Sequence, residues 1–311
     1  MSEERYLVTG GAGFIGSHIA RELVARGERV RVLDDFSSGK EENLTDALDH
    51  VELIRGDIRD SRTVHAAVEG VSVIFHEAAI ASVQRSLDDP EMTLDVNVKG
   101  MNLVLEAARK HGARRVVIAS SSAIYGDTPT FPLNESMPPR PLSPYAAHKL
   151  SDEYLCTVYQ RLYGLETVAL RYFNVFGPGQ DPNSDYGAVI PRFVTRLRAG
   201  QRPIVFGDGE QTRDFIHVSD IVRANLIAAS SANAAGGVFN IGGGQRISLN
   251  QVLAIASETL GAPADADYQP PREGDIRDSV ADITRARDVL GFSPQISFRD
   301  GLASLLRTPA K

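Results

Sequence analysis

The segment SPYAAHK carries a phenol and an ammonium four residues apart, at Tyr145 and Lys149. On a helix this spacing places both side chains on one face. The pKa of a tyrosine is ordinarily about 10, and a neighbouring positive charge lowers it, so Lys149 would help Tyr145 to act as a general base. The pair follows a predicted strand that ends in Ser121 and Ser122. A serine hydroxyl there could relay a proton or bind a reacting oxygen, so the pattern indicates proton-transfer chemistry.

A glycine-rich segment, TGGAGFIG, follows the first predicted strand and opens a helix. Gly10, Gly13 and Gly16 would let the backbone approach a pyrophosphate at the amino end of that helix. The second strand ends at Asp34, near the distance of about 20 residues at which a carboxylate binds the ribose of a dinucleotide. Because a carboxylate repels a 2′-phosphate, the pattern predicts NAD rather than NADP, with Asp57 beside the adenine. The alternative interpretation is a tight turn with polar strand ends.

Short β-branched runs alternate with amphipathic segments through the first 175 residues, which is typical of β-α-β units around a parallel sheet. The second half is broken by proline and glycine, but a helix over 218–230 and a strand at 238 return to the sheet. The sequence predicts strands over 6–9, 29–34, 51–57, 71–76, 114–121 and 167–173, and helices from near 14, 61, 91, 144, 190, 248, 284 and 299.

These elements predict an α/β fold: a Rossmann-type doubly wound parallel sheet with a smaller, discontinuous α/β substrate-binding lobe. We assign residues 1–175 and 215–245 to the nucleotide-binding domain. Residues 176–214 and 246–311 are assigned to the smaller lobe.

The composition excludes several classes of function. The chain has 311 residues, with 33 basic and 40 acidic side chains and a net charge of −7, which argues against a general nucleic-acid or membrane partner. Its one cysteine, Cys156, rules out an intramolecular disulfide and a multi-cysteine metal site. The seven histidines show no metal-ligand spacing, so no metal is expected. Without an apolar span or a signal-peptide pattern, a soluble cytoplasmic protein is expected.

Nine motifs in order resemble the extended short-chain dehydrogenase/reductase family over nearly the whole chain. They are TGGAGFIG, DDFSSG, GDIRD, HEAA, NVKGMNLVLEAA, SSSAIYGD, SPYAAHK, RYFNVFGP and RDFIHVSDI. Within the family the chain is most similar to NAD-dependent UDP-hexose 4-epimerases. The segments QDPNSDYGAVIPRF and REGDIRDSVADIT resemble the branch that acts on UDP-N-acetylhexosamines. The resemblance implies 4-epimerisation of UDP-Glc/UDP-Gal, and of UDP-GlcNAc/UDP-GalNAc, through a 4-keto sugar.

The resemblance also implies roles for individual residues. Tyr145 would remove the C4 hydroxyl proton while NAD takes the hydride, and Lys149 would hold the nicotinamide ribose. Ser121 is expected to be the active-site hydroxyl, with Ser122 as the less favoured alternative. The implied NAD contacts are Gly10, Gly13, Phe14, Ile15, Gly16, Asp34, Asp35, Ser37, Ser38, Gly39, Asp57, Ile58, Ala78, Ala79, Asn97, Tyr145, Lys149 and Tyr172. The implied substrate contacts are Ser121, Ser122, Tyr145, Asn174, Ala188, Val189, Arg192, Val205, Arg213, Arg272, Asp275 and Ser279.

Two positions distinguish chemistries within the family. Sugar 4,6-dehydratases carry Thr-Asp-Glu where this chain reads Ser121-Ser122-Ala123, so dehydration is not expected. Glucose-restricted epimerases often carry a bulky aromatic residue where this chain has Ser279, so room for an N-acetyl group is expected. The alternatives are a UDP-uronic acid 4-epimerase, another nucleotide-sugar oxidoreductase or decarboxylase, and a non-catalytic NAD-binding scaffold. The resemblance further suggests a homodimer through helices near 95 and 145.

Overall fold

The computed structural model describes residues 4–181, 189–271 and 277–307. The strands are β1 Arg5–Thr9, β2 Arg29–Asp34, β3 Val51–Arg55, β4 Val73–His76, β5 Arg115–Ser121, β6 Glu166–Tyr172, β7 Asn174–Phe176, β8 Ile204–Phe206, β9 Thr212–Arg213, β10 Phe215–His217, β11 Val238–Ile241, β12 Ile247–Ser248 and β13 Asp267–Gln269. The α-helices are α1 Phe14–Ala25, α2 Ser61–Val68, α3 Val83–Asp88, α4 Pro90–Leu94, α5 Met101–His111, α6 Pro144–Tyr163, α7 Val189–Arg198, α8 Val218–Ser230, α9 Leu249–Leu260 and α10 Phe298–Arg307. Turns of 3₁₀ helix span Glu41–Leu44, Leu48–His50, Ser122–Tyr125 and Ala232–Ala234, and π-helical turns span Asp95–Gly100 and Ala286–Leu290.

A parallel sheet of seven strands forms the centre of the described chain, in the order β11-β6-β5-β4-β1-β2-β3. Side chains of consecutive strand residues lie on opposite faces of the sheet: Val8 packs with α1 and α8, whereas Leu7 packs with α2 and α5. Because helices cover both faces, the strands β4, β5 and β6 are buried over almost their whole length, whereas the edge strand β3 is partly exposed. The strand order reverses between β1 and β4, which is where ligands bind in doubly wound sheets. The predicted Rossmann-type fold is confirmed.

A second hydrophobic cluster lies among α7, α9 and α10. Its centre contains Phe176, Phe193, Phe215 and Phe298, and three short strand pairs border it: β7 with β10, β8 with β13, and β9 with β12. Phe176, Phe215 and Phe298 contact one another through their rings. This cluster is the core of the smaller lobe.

The predicted helix from near 91 is one continuous run of helical turns over 90–111, with the π-helical turn between α4 and α5. The predicted helix near 284 is mostly the π-helical turn Ala286–Leu290, which ends at Gly291 in the left-handed conformation. Helix α3 and the two- and three-residue strands of the lobe were not predicted. Such short strands carry no detectable alternation of polar and apolar residues.

Candidate active site

The glycine-rich turn between β1 and α1 has a shape that only glycine permits at two positions. Gly10 has a φ of +65°, and a Cβ there would lie 2.7 Å from the backbone nitrogen of Ala78. A Cβ on Gly16 would collide with the carbonyl oxygen of Gly10. At the start of α1, Gly13 provides no side-chain cap. The first N–H groups of α1 are therefore left for an anion, as a dinucleotide pyrophosphate requires.

Asp34 lies at the end of β2 directly beside this turn. It is 6% exposed, and its carboxylate accepts hydrogen bonds of 2.8 Å from the backbone nitrogens of Ala12 and Phe36. Burial raises the pKa of Asp34, and the two backbone donors partly oppose that rise. A Cβ on Gly39 would lie 2.8 Å from the Asp34 carboxylate, so the chain returns closely over it. A carboxylate beside a glycine-rich turn is placed to accept hydrogen bonds from the hydroxyls of an adenosine ribose.

The loop from 35 to 38 carries three further predicted cofactor contacts. Asp35 is exposed, and its carboxylate accepts hydrogen bonds from the backbone nitrogen and the hydroxyl of Ser37. Ser37 and Ser38 are exposed as well. These residues border the turn without forming part of the core.

On the predicted adenine side of the site, the predicted cofactor residues already contact other groups of the protein. Asp57 accepts hydrogen bonds from Arg59, which lowers the pKa of that carboxyl. Ile58 is buried against Gly100. Asn97 uses its amide oxygen and nitrogen on the backbone of Ile80, at 2.8 and 3.0 Å. Asn97 therefore positions the segment after β4, a role that was not expected of it.

Helix α6 brings the phenol and the ammonium to the carboxyl edge of the sheet. The Ser143 hydroxyl caps the helix by accepting from the backbone nitrogen of Ala146, and Pro144 occupies its first turn. Tyr145 and Lys149 are each 4% exposed. The helix packs against β5, β6 and the turn Ser122–Tyr125. The predicted base and lysine thus lie on one buried face.

The two candidate serines lie where β5 ends. Ser121 is 9% exposed, and its hydroxyl accepts a hydrogen bond of 3.1 Å from the backbone nitrogen of Ala123. Ser122 is half-buried in the turn that follows. Because α6 packs on this turn, the serines and Tyr145 belong to one region of the structure.

Two acidic residues near Lys149 were missed by the sequence interpretation. Asp152, one turn further along α6, has a carboxylate oxygen 3.9 Å from the Lys149 nitrogen, and burial raises its pKa to about 7. Burial raises the pKa of Glu77, directly after β4, to about 7, and the hydrogen bond from Tyr172 and the charge of Lys149 oppose that rise. The HEAA motif marked the position of Glu77, but its contact with Tyr172, 95 residues away, could not be predicted from that motif.

On the side of the smaller lobe, Asn174, Arg213 and Ser279 gather around β9 and β10. The Asn174 amide donates to the carbonyl oxygen of Asp214 at 3.1 Å, and an Arg213 guanidinium nitrogen donates to the carbonyl of Thr212 at 3.0 Å. The backbone nitrogen of Ser279 donates to the same Thr212 carbonyl at 3.2 Å. These three predicted substrate residues are brought together.

Asp214 organises this region, although the sequence interpretation gave it no role. Its buried carboxylate accepts hydrogen bonds from the backbone nitrogens of Gly243, Gly244 and Ala281. Burial raises the pKa of Asp214 to about 7, and the three donors oppose that rise.

Comparison with known proteins identifies the family. The model of the NAD dependent epimerase/dehydratase family matches residues 6–242. The chain belongs to the NAD-dependent epimerase/dehydratase family. This confirms the resemblance to the extended short-chain dehydrogenase/reductases.

Individual members of this family match over almost their full length. The UDP-glucose 4-epimerase of Mycolicibacterium smegmatis is 43% identical, with 96% of each chain covered. Among solved structures, the UDP-N-acetylglucosamine 4-epimerase of Methanobrevibacter ruminantium, in complex with UDP-N-acetylmuramic acid, has a TM-score of 0.94 and 39% identity and covers 99% of this chain and 98% of its own. The Thermus thermophilus UDP-glucose 4-epimerase in complex with NAD has a TM-score of 0.88 and 38% identity, with 97% of each chain covered.

The remaining predicted substrate residues lie on α7 and β8 or outside the described residues. Val205 is 0% exposed in the core of the smaller lobe, so in this conformation it supports the lobe and offers no surface to a substrate. Arg192 is exposed on α7, and Val189 is half-buried at its first turn. Ala188, Arg272 and Asp275 lie outside the described residues.

Phe14 and Ile15, in the first turn of α1, and Ala78 and Ala79, after β4, are half-buried around the glycine-rich turn, as is expected of cofactor neighbours in this family. Within the described residues, no group of three or more histidine, cysteine or acidic side chains could hold a metal ion. In the same part of the chain, no helix combines the length and the apolarity needed to cross a membrane.

Proposed function

We propose that this protein is an NAD-dependent UDP-hexose 4-epimerase. The observation that carries the proposal is the buried face of α6 with Tyr145 and Lys149, beside a β5 end that reads Ser121-Ser122-Ala123. A dehydratase needs an acid/base pair at that strand end to expel the C6 hydroxyl, and Ser122 and Ala123 cannot supply one. A single general base, without an acid/base pair for C6, is sufficient for epimerisation, in which hydrogen is removed from and returned to C4 alone.

The glycine-rich turn and Asp34 would hold NAD, which supplies an acceptor and donor of hydride when bound. Tyr145 takes the proton of the sugar C4 hydroxyl and gives it back at the end of the reaction. Lys149 favours the tyrosinate by its charge and would bind the nicotinamide ribose. Ser121 would hydrogen-bond the sugar oxygen, with Ser122 as the alternative.

The UDP moiety would be held by the smaller lobe. Arg213 suits a diphosphate because a guanidinium donates two parallel hydrogen bonds to phosphate oxygens, and we propose the same role for Arg272. We also propose that Ala188 and Val189 lie beside the uracil. The domain division predicted from the sequence is kept as part of this proposal, with the substrate between the two units. We further propose a cytoplasmic location.

The proposal is tested with purified protein and UDP-glucose, UDP-N-acetylglucosamine or UDP-glucuronic acid, without added NADH. We expect the 4-epimers of the first two, detected by nuclear magnetic resonance. Release of CO₂ or net formation of NADH would instead indicate a decarboxylase or another oxidoreductase. Absence of product from all three substrates, in protein that holds NAD, would contradict the proposal and favour a scaffold.

The substrate range is expected to depend on Ser279. This residue is 9% exposed beside β9, and its small side chain would leave room for an acetamido group. Ser279→Tyr should lower kcat/KM for UDP-N-acetylglucosamine by at least about tenfold relative to UDP-glucose, since one misfitting group in a pocket costs about 1–3 kcal/mol. Ser279→Ala is the matched control and should keep the wild-type ratio. An unchanged ratio in the tyrosine variant would show that Ser279 does not face the sugar.

Gly16→Ala is expected to remove most of the bound NAD. The added Cβ collides with the Gly10 carbonyl, so the turn must open, at a typical cost of about 1–3 kcal/mol. The NAD content is measured after denaturing the protein and separating the released nucleotide. Gly27→Ala is the control: it strains a positive φ beyond the other end of α1, but its Cβ would contact nothing within 4 Å. If Gly16→Ala retains full NAD content, the glycine-rich turn is not the pyrophosphate site.

We also propose a homodimer through an exposed apolar patch on α3, α4 and α6. Val158 and Leu162 form a stripe at helical spacing on α6, and Leu162 is 71% exposed. Helix α4 packs beside α6, so its exposed Leu94 extends the same surface. The full patch is Leu87, Leu94, Tyr154, Val158 and Leu162. Monomeric proteins rarely expose a contiguous apolar surface of this kind.

Leu162→Glu is expected to convert the dimer into a monomer, because a charge would be buried in an apolar interface. Light scattering coupled to size-exclusion chromatography measures the mass. Tyr268→Glu, at a position that is 53% exposed on β13 in the smaller lobe, should leave the mass unchanged. A wild-type protein that is monomeric at micromolar concentration would contradict this interface.

A further inference from the structure

A chain of hydrogen bonds joins Glu77, Tyr172 and Asn225. The Tyr172 hydroxyl donates to the Glu77 carboxylate at 2.8 Å, and the Asn225 amide donates to the Tyr172 oxygen at 2.6 Å. Asn225 is anchored on α8 through a second bond, to the carbonyl of Ile221. The three residues come from the end of β4, the end of β6 and α8. The Glu77 carboxyl is therefore fixed in place from across the sheet.

The Glu77 backbone places the carboxyl at the centre of the cofactor region. Its nitrogen donates to the carbonyl of Thr9, the last residue of β1, at 3.1 Å. The next residue, Ala78, abuts Gly10 of the glycine-rich turn. On the other side, Glu77 interacts electrostatically with Lys149. A dinucleotide that runs from the glycine-rich turn to the Tyr145 face must pass the end of β4, where Glu77 lies.

The ionisable groups around Glu77 come from three elements. His76, on β4, is hydrogen-bonded to the Thr9 hydroxyl. Burial lowers its pKa to about 3, so its ring is neutral at neutral and alkaline pH. The pKa of Tyr172 is raised well above its ordinary value by burial and by Glu77, so it stays a donor. From α6 come the cation of Lys149 and, beyond it, Asp152. Within the described residues, the cation that acts on an ionised Glu77 is Lys149, which is also the ribose-binding lysine of the proposed function.

We propose that the Glu77 carboxylate, held by Tyr172 and Asn225, stabilises the positively charged oxidised nicotinamide relative to the neutral reduced form. This inference rests on the proposed binding of NAD at this site. Glu77 is half-buried, and a fixed negative charge that is partly shielded from water favours whichever cofactor state is cationic. For a reaction that must return every hydride it takes, such a bias keeps the resting enzyme oxidised. Glu77 acts through its charge and position and transfers no proton to the sugar.

The test measures how fast a chemical hydride donor, cyanoborohydride, reduces the bound nicotinamide. Reduction is followed by the near-ultraviolet absorbance of the dihydropyridine, so no sugar turnover is needed. Glu77→Gln keeps an oxygen that accepts from Tyr172 but removes the charge. We expect reduction about tenfold faster in Glu77→Gln than in the wild type at alkaline pH, since a half-buried charge that borders the nicotinamide, as proposed, would have an effect of that order.

The wild-type protein gives a second measurement that needs no variant. Glu77 is ionised above its pKa of about 7 and protonated below it, so the protective charge is present at alkaline pH and lost as the pH falls. The wild-type rate, divided by that of free NAD in the same buffer, should therefore rise as the pH falls through this range. In Glu77→Gln the corresponding ratio should change clearly less over this range, because the remaining carboxyl that titrates there, Asp152, lies further along α6.

Asp152→Asn is the matched control, because it removes a second carboxyl beside Lys149, one that is buried and lies further along α6. It should change the rate less than Glu77→Gln does. Equal effects of the two variants would mean that both carboxyls act only through Lys149, which overturns the proposal. Equal rates in NAD-loaded wild type and Glu77→Gln would also overturn it. If Glu77→Gln does not fold, two other measurements test the proposal. They are the reduction rate of Tyr172→Phe, which removes the hydrogen bond to the Glu77 carboxylate, and the pH dependence of the wild type. A wild-type protein without NAD would overturn the cofactor assignment itself.

Discussion

Tyr145→Phe is expected to lower kcat for 4-epimerisation by about 10³-fold, the usual contribution of a positioned general base. The ring is 4% exposed and packed at the start of α6, and the substitution keeps the ring and removes only the hydroxyl. The NAD content and the unfolding temperature should therefore remain close to wild type. The loss should appear in kcat far more than in KM, because the missing interaction is made while the proton moves.

Tyr154→Phe provides the matched control for this prediction. It lies on the same helix, but its side chain is 60% exposed on the opposite, outward side. It should keep wild-type kcat. Substrate conversion is followed by chromatography of the UDP-sugars. Full activity in Tyr145→Phe would show that another group removes the proton, and the assignment of the base would then be wrong.

The nucleotide-binding half of the fold could be predicted because its elements are long and periodic. Leu7 and Val8 serve opposite helical layers, so β1 reads as a continuous apolar run that ends in glycine. The smaller lobe could be predicted only as a set of helices. Its strands are two or three residues long and depend on partners such as Asp214, whose three backbone donors lie 29 to 67 residues away in sequence.

The candidate site shows the same division. Gly10, Asp34 and Tyr145 could be predicted because each belongs to a local pattern with a fixed spacing. Glu77 and Asn225 could not, because Tyr172 joins them across separations of 95 and 53 residues. The net charge of −7 gave no indication of the proposed anion sites either, since a helix amino end and the arginines proposed for the diphosphate, Arg213 and Arg272, act over a few ångströms.

A buried ion pair beneath the site has the largest expected effect on stability. The Glu153 carboxylate accepts two hydrogen bonds from the guanidinium of Arg171, at 2.9 and 2.8 Å, and a third from the Ser120 hydroxyl. Arg171 also donates to the Tyr125 hydroxyl, which donates to Asn240 on β11. The network thus ties α6, which carries Tyr145, to β5, β6 and β11.

Glu153→Ala is expected to lower the free energy of unfolding by about 3–5 kcal/mol, because it leaves the Arg171 cation buried without its counter-charge. Urea unfolding followed by circular dichroism measures the change. Glu258→Ala is the control: it breaks the exposed pair with Arg299, and pairs of that kind contribute about 1 kcal/mol or less.

The double variant Glu153→Leu/Arg171→Met separates the charge from the packing. Two apolar side chains of similar volume need no counter-charge, so this variant should be clearly more stable than Glu153→Ala. Its α6 would remain docked on β5, and its kcat should stay well above that of Tyr145→Phe. If Glu153→Ala instead lowers the free energy of unfolding no more than Glu258→Ala does, water must reach the Arg171 guanidinium. The network would then not be what holds α6 on the sheet.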